Sequence, residues 1–312
     1  MGGAGFIGSN LAAEFVQKGC KVTVIDGLLK RTGGRVENLK PILAKIEFIP
    51  KSIEDIDDLP KLLKMNEFFI DCMAWTAHLQ ALADPKYDLL LNVSSHLHFL
   101  TSFISANITG KKIIYLGSRG QYGHPATKRI TEQSIMEPGD IQGIHKLAAE
   151  SYFRVFARMH GLHVISLRIP NCFGENQLLA GDDIGLIGGL IRDILNGHDV
   201  KVFGRDRKRE LIYVKDLCGI ISKIAATNFL GFAAYNVRGQ DSSILDLTKM
   251  LIKIFGSGHY RNLEVPDTIK ALDPSPAFYS DSKLTKLIGK TRVTPLKETL
   301  SRTVNYFRRQ LS

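Results

Sequence analysis

The chain reads as an α/β protein: an open, doubly wound parallel sheet with a smaller C-terminal lobe. Three observations predict this. Short β-branched runs recur along the chain, helical patterns separate most of them, and a glycine triplet opens the sequence directly ahead of a helix. Strands that are apolar on both faces and alternate with helices form a parallel sheet covered on each side.

The runs are "KVTVID" (21–26), "KIEFI" (45–49), "FFIDCMA" (68–74), "KKIIYLGS" (111–118), "HVISLRI" (163–169) and "AAYNV" (233–237). Helical patterns include "SNLAAEFVQKG" and the segment after Pro85. "GDIQGIHKLAAESYF" (139–153) predicts a helix with Asp140 as N-cap, since Leu147, Ala148, Tyr152 and Val155 repeat at helical spacing. Gln142 and Lys146 then lie one turn apart on one face. After residue 169 the alternation loosens, with insertions at 175–208 and 239–312. These read as a lobe over the carboxyl edge of the sheet, the ligand side of such folds.

Length and composition exclude several classes. The 312 residues suffice for one large α/β domain or two unequal lobes. No apolar run reaches the roughly 18 residues of a membrane span, and no secretory signal is evident. The four cysteines (Cys20, Cys72, Cys172, Cys218) form no CxxC pair and read as buried thiols, which with the rest implies a cytoplasmic protein. The net charge of +10 is spread out, apart from short clusters at 30–35, 204–210 and the C-terminus. Without zinc-finger spacing or an aromatic RNA-binding motif, it suits an anionic small substrate such as a nucleotide better than nucleic acid. "HLH" (96–98) is not read as a metal site, because i and i+2 on a helix point apart and no third ligand is placed. No metal is expected.

"GGAGFIGSN" (2–10) places Gly2, Gly5 and Gly8 at GxxGxxG spacing. Glycines allow a tight turn and close backbone approach, and the helix N-terminus then receives a pyrophosphate. Asp26 follows at the end of the next strand, where an acceptor for a ribose hydroxyl belongs. The combination predicts a Rossmann-like dinucleotide domain that favours NAD, with Lys30 and Arg31 keeping NADP as the alternative. The motif requires a preceding central strand, and only Met1 precedes it. The first strand is therefore expected to be missing or truncated, with impaired cofactor binding as the other possibility. The expected division is a dinucleotide-binding domain of 1–169 plus 209–238 and a substrate-binding lobe of 170–208 plus 239–312.

Further segments carry a family resemblance: "IDCMAWTAH" (70–78), "DPKYDLLLNV" (84–93), "LGSRGQYG" (116–123), "LRIPNCFGENQ" (167–177), "VFGRDRKRELIYVKD" (202–216), and the C-terminal "YSDSKLTKLIG" with "TPLKETLSRTVNYF". In this order they resemble the extended short-chain dehydrogenase/reductase family of NAD-dependent nucleotide-sugar epimerases and dehydratases, from Gly2 to about Phe307. The resemblance implies cofactor contacts at Gly2, Gly5, Phe6, Ile7, Gly8, Asp26, Ser52, Ile53, Met73, Ala74, Thr76, Asn92, Lys146 and Pro170. It implies a substrate site at His78, Tyr122, Asn171 and Arg209, with Arg209 on the nucleotide diphosphate. Ser118 matches the active-site Ser or Thr. It also implies a homodimer built from the helices at 86–107 and 143–160.

The family's Tyr-x-x-x-Lys pair is altered. Lys146 matches the lysine, and Gln142 stands where the tyrosine should be. An amide has no proton to exchange near neutral pH, so Gln142 can orient a hydroxyl but cannot serve as base. Loss of a positioned base costs roughly 10²–10⁴ in rate. Ser52 replaces an adenine-contacting aspartate, and Arg119 and Gly120 replace the Asp-Glu pair of dehydratases. His145, next to Lys146, is turned off the active face by a helix step of about 100°. The expected protein is an epimerase or isomerase on a nucleotide-diphosphate hexose with atypical catalysis. A non-redox nucleotide-sugar mutase and a catalytically silent nucleotide-binding protein are the alternatives.

Overall fold

The computed structural model describes residues 1–312 apart from 126, 182–183, 273–277, 292 and 312. The β-branched runs become strands β1 (Val22–Ile25), β2 (Ile46–Ile49), β3 (Phe68–Asp71), β4 (Lys112–Ser118), β6 (His163–Ile169) and β10 (Phe232–Asn236). The remaining strands are β5 (Arg129–Ile130), β7 (Asn171–Phe173), β8 (Val200–Phe203), β9 (Lys208–Tyr213), β11 (Gln240–Ser243), β12 (Tyr260–Leu263) and β13 (Phe278–Tyr279). Helices intervene: α1 (Phe6–Gln17), α2 (Leu59–Met65), α3 (His78–Ala83), α4 (Pro85–Leu89), α5 (Ser95–Ser105), α6 (Ile141–His160), α7 (Leu186–Leu195) and α8 (Val214–Ala225). The C-terminal third adds α9 (Ile244–Phe255), α10 (Asp267–Leu272), α11 (Ser282–Ile288) and α12 (Leu296–Leu311).

β10, β6, β4 and β3 form a parallel sheet in that order, and β1 and β2 form a separate parallel pair. Residues 1–3 stitch the two together. The Met1 amine donates to the Ile70 carbonyl (3.0 Å), Cys72 N donates to the Met1 carbonyl (3.1 Å), and Gly3 N donates to the Ile25 carbonyl (3.2 Å). Among the described residues no strand runs between β1 and β3, where the glycine-loop motif calls for one.

Alternation along β4 shows why this sheet is covered on both faces. Ile113 and Tyr115 join Phe99, Phe103 and Phe153, whereas Ile114 and Leu116 join Leu11, Ile165, Leu167 and the apolar faces of α7, α8 and α9. A fully buried side chain of this size contributes about 1.5–3 kcal/mol, so neither face tolerates solvent. Separate from this sheet are the three-stranded β11–β9–β7 sheet and the β8–β12 pair.

α6 begins as its sequence dictates. Asp140 Oδ1 accepts from Gly143 N at 2.6 Å, and Gly161 closes the helix at φ 63°. Between α4 and α5 the helix widens into a π turn, Leu90–Ser94, which carries Asn92. Parallel register sets Ser118 opposite Ile169, so the carboxyl ends of β4 and β6 meet immediately before Pro170 and Asn171.

Of the cysteines, Cys20 is exposed, contrary to the reading of all four as buried. It sits just past α1, before the first strand.

Candidate active site

A groove of about 700 Å³, of ordinary ligand-pocket size, opens over the carboxyl ends of the strands. Its floor at one end is the glycine loop. Gly5 is the N-cap of α1, in extended conformation, and no side chain caps the helix. The amides of Phe6, Ile7 and Gly8 therefore start a twelve-residue helix whose positive end faces the groove. A Cβ at Gly8 would overlap the Gly2 carbonyl oxygen, and one at Gly2, which sits at φ 64°, would meet the Cys72 carbonyl at 2.8 Å. Only glycine permits this close return of the loop. An uncapped helix end with a side-chain-free approach is what a dinucleotide pyrophosphate needs, so the residues fit that group.

Asp26 is buried at the end of β1, its Oδ2 accepting from Ala4 N (2.9 Å) and its Oδ1 from Leu28 N (2.9 Å). Both oxygens keep lone pairs beyond these bonds. The carboxylate thus shapes the loop and still lines the groove, with Ser52 and Ile53 beside it. Arg31 is turned to other work. Its guanidinium lies over the rings of Trp75 (4.6 Å) and Tyr87 (4.9 Å) and pairs with Asp84 at 2.8 Å.

Met73, Ala74 and Thr76 line the wall after β3. Trp75 between them is fully buried, and its backbone is held three ways. Asn92 Nδ2 donates to its carbonyl (2.8 Å), its N–H donates to Asn92 Oδ1 (3.3 Å), and Gln142 Nε2 donates to the same carbonyl at 2.7 Å. Asn92 is therefore a clamp on residue 75 and is not on the groove wall, which corrects its expected cofactor contact. Gln142, 4% exposed, lines the groove and spends its amide donor on this clamp.

The opposite wall gathers Ser118, Lys146, Pro170, Asn171 and Arg209. Ser118 Oγ accepts from Gly120 N (3.0 Å) and Ser118 N donates to Gln121 Oε1 (2.9 Å), so the hydroxyl is oriented by its own turn and retains a proton to donate. Lys146 Nζ lies 5.4 Å over the Tyr115 ring. Arg119, where dehydratases carry an acid, instead pairs with buried Glu210 at 2.6 Å and stacks on Tyr279. Burial pushes the Cys72 thiol up to about 12 and raises that of Cys172 well above its usual value, so neither thiol on the groove wall is a nucleophile near neutral pH.

Tyr122 lies off the groove. It is fully buried, and its hydroxyl meets Asn236 Oδ1 at 2.8 Å and Arg168 Nη1 at 2.5 Å, away from the groove. The buried guanidinium needs more acceptors than Glu150 alone supplies, and the phenol provides one. His78 does line the groove, joined by His124 and by Asp140, which the sequence gives only as a helix cap. Gln177 and Leu178 from the smaller lobe complete the wall, and Asn10 Nδ2, donating to the Glu175 carbonyl at 2.9 Å, ties that lobe to α1. The signal for Asp140 was its N-cap position beside the Gln142–Lys146 face.

Comparison with known proteins agrees with this arrangement. Residues 1–237 match the NAD dependent epimerase/dehydratase family. A putative UDP-glucose 4-epimerase of Methanocaldococcus jannaschii is 27% identical over 98% of this chain and 97% of its own. The crystal structure of UDP-glucose 4-epimerase from Thermotoga maritima, with UDP-glucose, superposes with a TM-score of 0.86 at 26% identity, covering 100% of this chain and 98% of that one. UDP-N-acetylglucosamine 4-epimerase from Methanobrevibacter ruminantium, in complex with UDP-N-acetylmuramic acid, gives 0.88 at 26% identity over 99% and 97%. The family match contains the uncapped glycine-loop helix, the lysine helix and both walls of the groove, and the chain belongs to the NAD dependent epimerase/dehydratase family.

Proposed function

We propose that the chain is an NAD-dependent 4-epimerase of a uridine-diphosphate hexose. One observation carries the reading: the glycine-loop helix end and the Ser118–Lys146 wall line a single groove. The dinucleotide pyrophosphate would rest on the α1 N-terminus, its ribose on Asp26 and Lys146, and its nicotinamide near Pro170. When bound, the nicotinamide accepts a hydride from a sugar carbon and returns it. Ser118 donates to the sugar oxygen at that carbon, and Asn171 and Arg209 hold the substrate diphosphate. Epimerisation is favoured over dehydration because Arg119 is committed to Glu210 and Gly120 has no side chain. UDP is favoured as the nucleotide by the relatives' own substrates.

The same reading includes a homodimer. Leu89, Leu90 and Ile104 from the 85–105 stretch and Ile144, Tyr152, Val155 and Met159 from α6 are exposed apolar side chains on the two helices expected to pair.

A second reading, a nucleotide-binding protein without turnover, is favoured by the use of the Gln142 amide as a clamp on Trp75. Incubation with NAD and UDP-galactose, followed by chromatography for UDP-glucose, separates the two. Interconversion supports the epimerase, and NAD binding without turnover across a UDP-hexose panel supports the second. Calorimetry that detects no UDP-hexose binding sinks both.

A further inference from the structure

Among the described residues three histidine–aspartate pairs lie around α6, and one of them lines the groove. His96 and Asp71 (2.7 Å) are both fully buried, and His145 and Asp88 (2.5 Å) are nearly so. His78 is different. Its Nδ1 lies 2.6 Å from Asp140 Oδ2, the carboxylate side chain is 11% exposed and the imidazole 48%. The two residues are 62 positions apart, and both line the groove with Ser118, Gln142 and Lys146.

We propose that His78 is the proton-transfer group of this enzyme, oriented by Asp140, in place of the missing tyrosine. The proposal rests on the epimerase reading. Asp140 is fixed at both oxygens, Oδ1 by Gly143 N (2.6 Å) and Oδ2 by the imidazole. A proton held on Nδ1 toward the carboxylate leaves the Nε2 lone pair as acceptor. Burial would raise the Asp140 carboxyl, but the hydrogen bond and charge of His78, with the Gly143 amide and His124, hold it below its usual range. It therefore remains an anion able to stabilise an imidazolium.

The step balances simply. The O–H bond of the sugar hydroxyl breaks, and its electron pair becomes the second carbon–oxygen bond as hydride leaves that carbon for the oxidised dinucleotide. The proton passes to His78 Nε2, and the imidazolium stays neutralised by Asp140. Reversal returns the proton once the ketone is reduced from its other face. α3 packs on α4 and α6, so the titratable and charged groups around His78 are Asp84, Lys86 and Asp88, then Asp140, His145 and Lys146, with His124 across the groove.

The test uses the full chain, its His78→Gln and Asp140→Asn variants, UDP-glucose and NAD. Asparagine preserves the helix cap but reverses the hydrogen-bond partner offered to Nδ1. The expected result is a loss of about 10²–10⁴ in kcat for His78→Gln, with KM and calorimetric UDP-glucose affinity within about threefold. Nitrogen-15 spectra of the unmodified protein, without NAD, should show Nδ1 protonated, Nε2 bare, and Nε2 shifted by UDP-glucose. In Asp140→Asn the favoured tautomer should change and kcat fall. Turnover undiminished in His78→Gln, or Nε2 unmoved by saturating UDP-glucose, overturns the assignment while leaving the epimerase reading intact. A wild-type protein that binds no UDP-hexose overturns both.

Discussion

Along one helix, α6, two polar clusters lie about two turns apart and have opposite characters. Near its middle, Glu150 is fully buried and takes hydrogen bonds from Arg168 (2.5 and 3.0 Å), Gln121 (3.0 Å) and Ser166 (2.8 Å). Arg168 goes on to Tyr122, and Tyr122 to Asn236. At the N-terminal end, Asp140, Gln142 and Lys146 line a groove, where Asp140 meets His78 and Gln142 the Trp75 carbonyl. A closed network spends its polar capacity on the fold, so it fixes register between α6, β4 and β6. An open cluster keeps lone pairs and donors for a ligand. The helix is thus anchored by one end of its polar face and lines the groove with the other.

The largest expected effect breaks the closed cluster. Glu150→Gln strands a buried guanidinium and should cost about 3–5 kcal/mol in urea unfolding. The same residue sets an acid limit. Burial alone would raise its carboxyl, but Arg168, Gln121 and Ser166 together hold it below its ordinary value. As pH falls the unfolded chain takes up the proton first, so this stability is complete above the ordinary glutamate range, near pH 4.5. It is lost as pH falls through the lower folded value. Urea midpoints should decline over that interval in the native protein and be flatter there in the Gln variant.

Asn92→Ala comes next. It leaves the buried Trp75 N–H without an acceptor and should cost about 1–3 kcal/mol, while the Trp75 carbonyl keeps its bond from Gln142. A loosened residue 75 should also weaken NAD affinity measured by calorimetry, because Met73, Ala74 and Thr76 move with it.

Gln142→Tyr sharpens the contrast from the reactive end. Placed in the His78→Gln background, it should restore at least about tenfold of the lost kcat, near 1.4 kcal/mol, if a phenol beside Lys146 resumes the proton transfer. No recovery would separate the position from the chemistry.

The smallest effect distinguishes cap from base. Asp140→Ala should lose about 1 kcal/mol of stability and Asp140→Asn almost none, as the cap alone requires. Both should lose turnover if the carboxylate also orients His78.

Much of this was legible residue by residue. The glycine loop, Asp26 at a strand end, the Asp140 cap and the Gln142–Lys146 spacing are local patterns, and each appears where its sequence put it. Asn92 and Tyr122 lie off the groove wall for a reason that is not local. Their segments border the groove, but a π turn aims one at the Trp75 backbone, and Arg168 draws the other into the core. Neither destination leaves a trace within a few residues of its own position.

The sequence by itself determined the alternation of strands and helices, the dinucleotide-type loop and the placing of Gln142 one helical turn from Lys146, because periodicity, capping and glycine tolerance act over one or two turns. Only the tertiary structure decided which carboxylate meets His78 at the groove. Pairing His78 with Asp140 requires β3 and β4 to lie side by side, so that the segments following them converge. That convergence depends on register and burial between distant strands, a free energy summed over the whole sheet and not carried by any short stretch of chain.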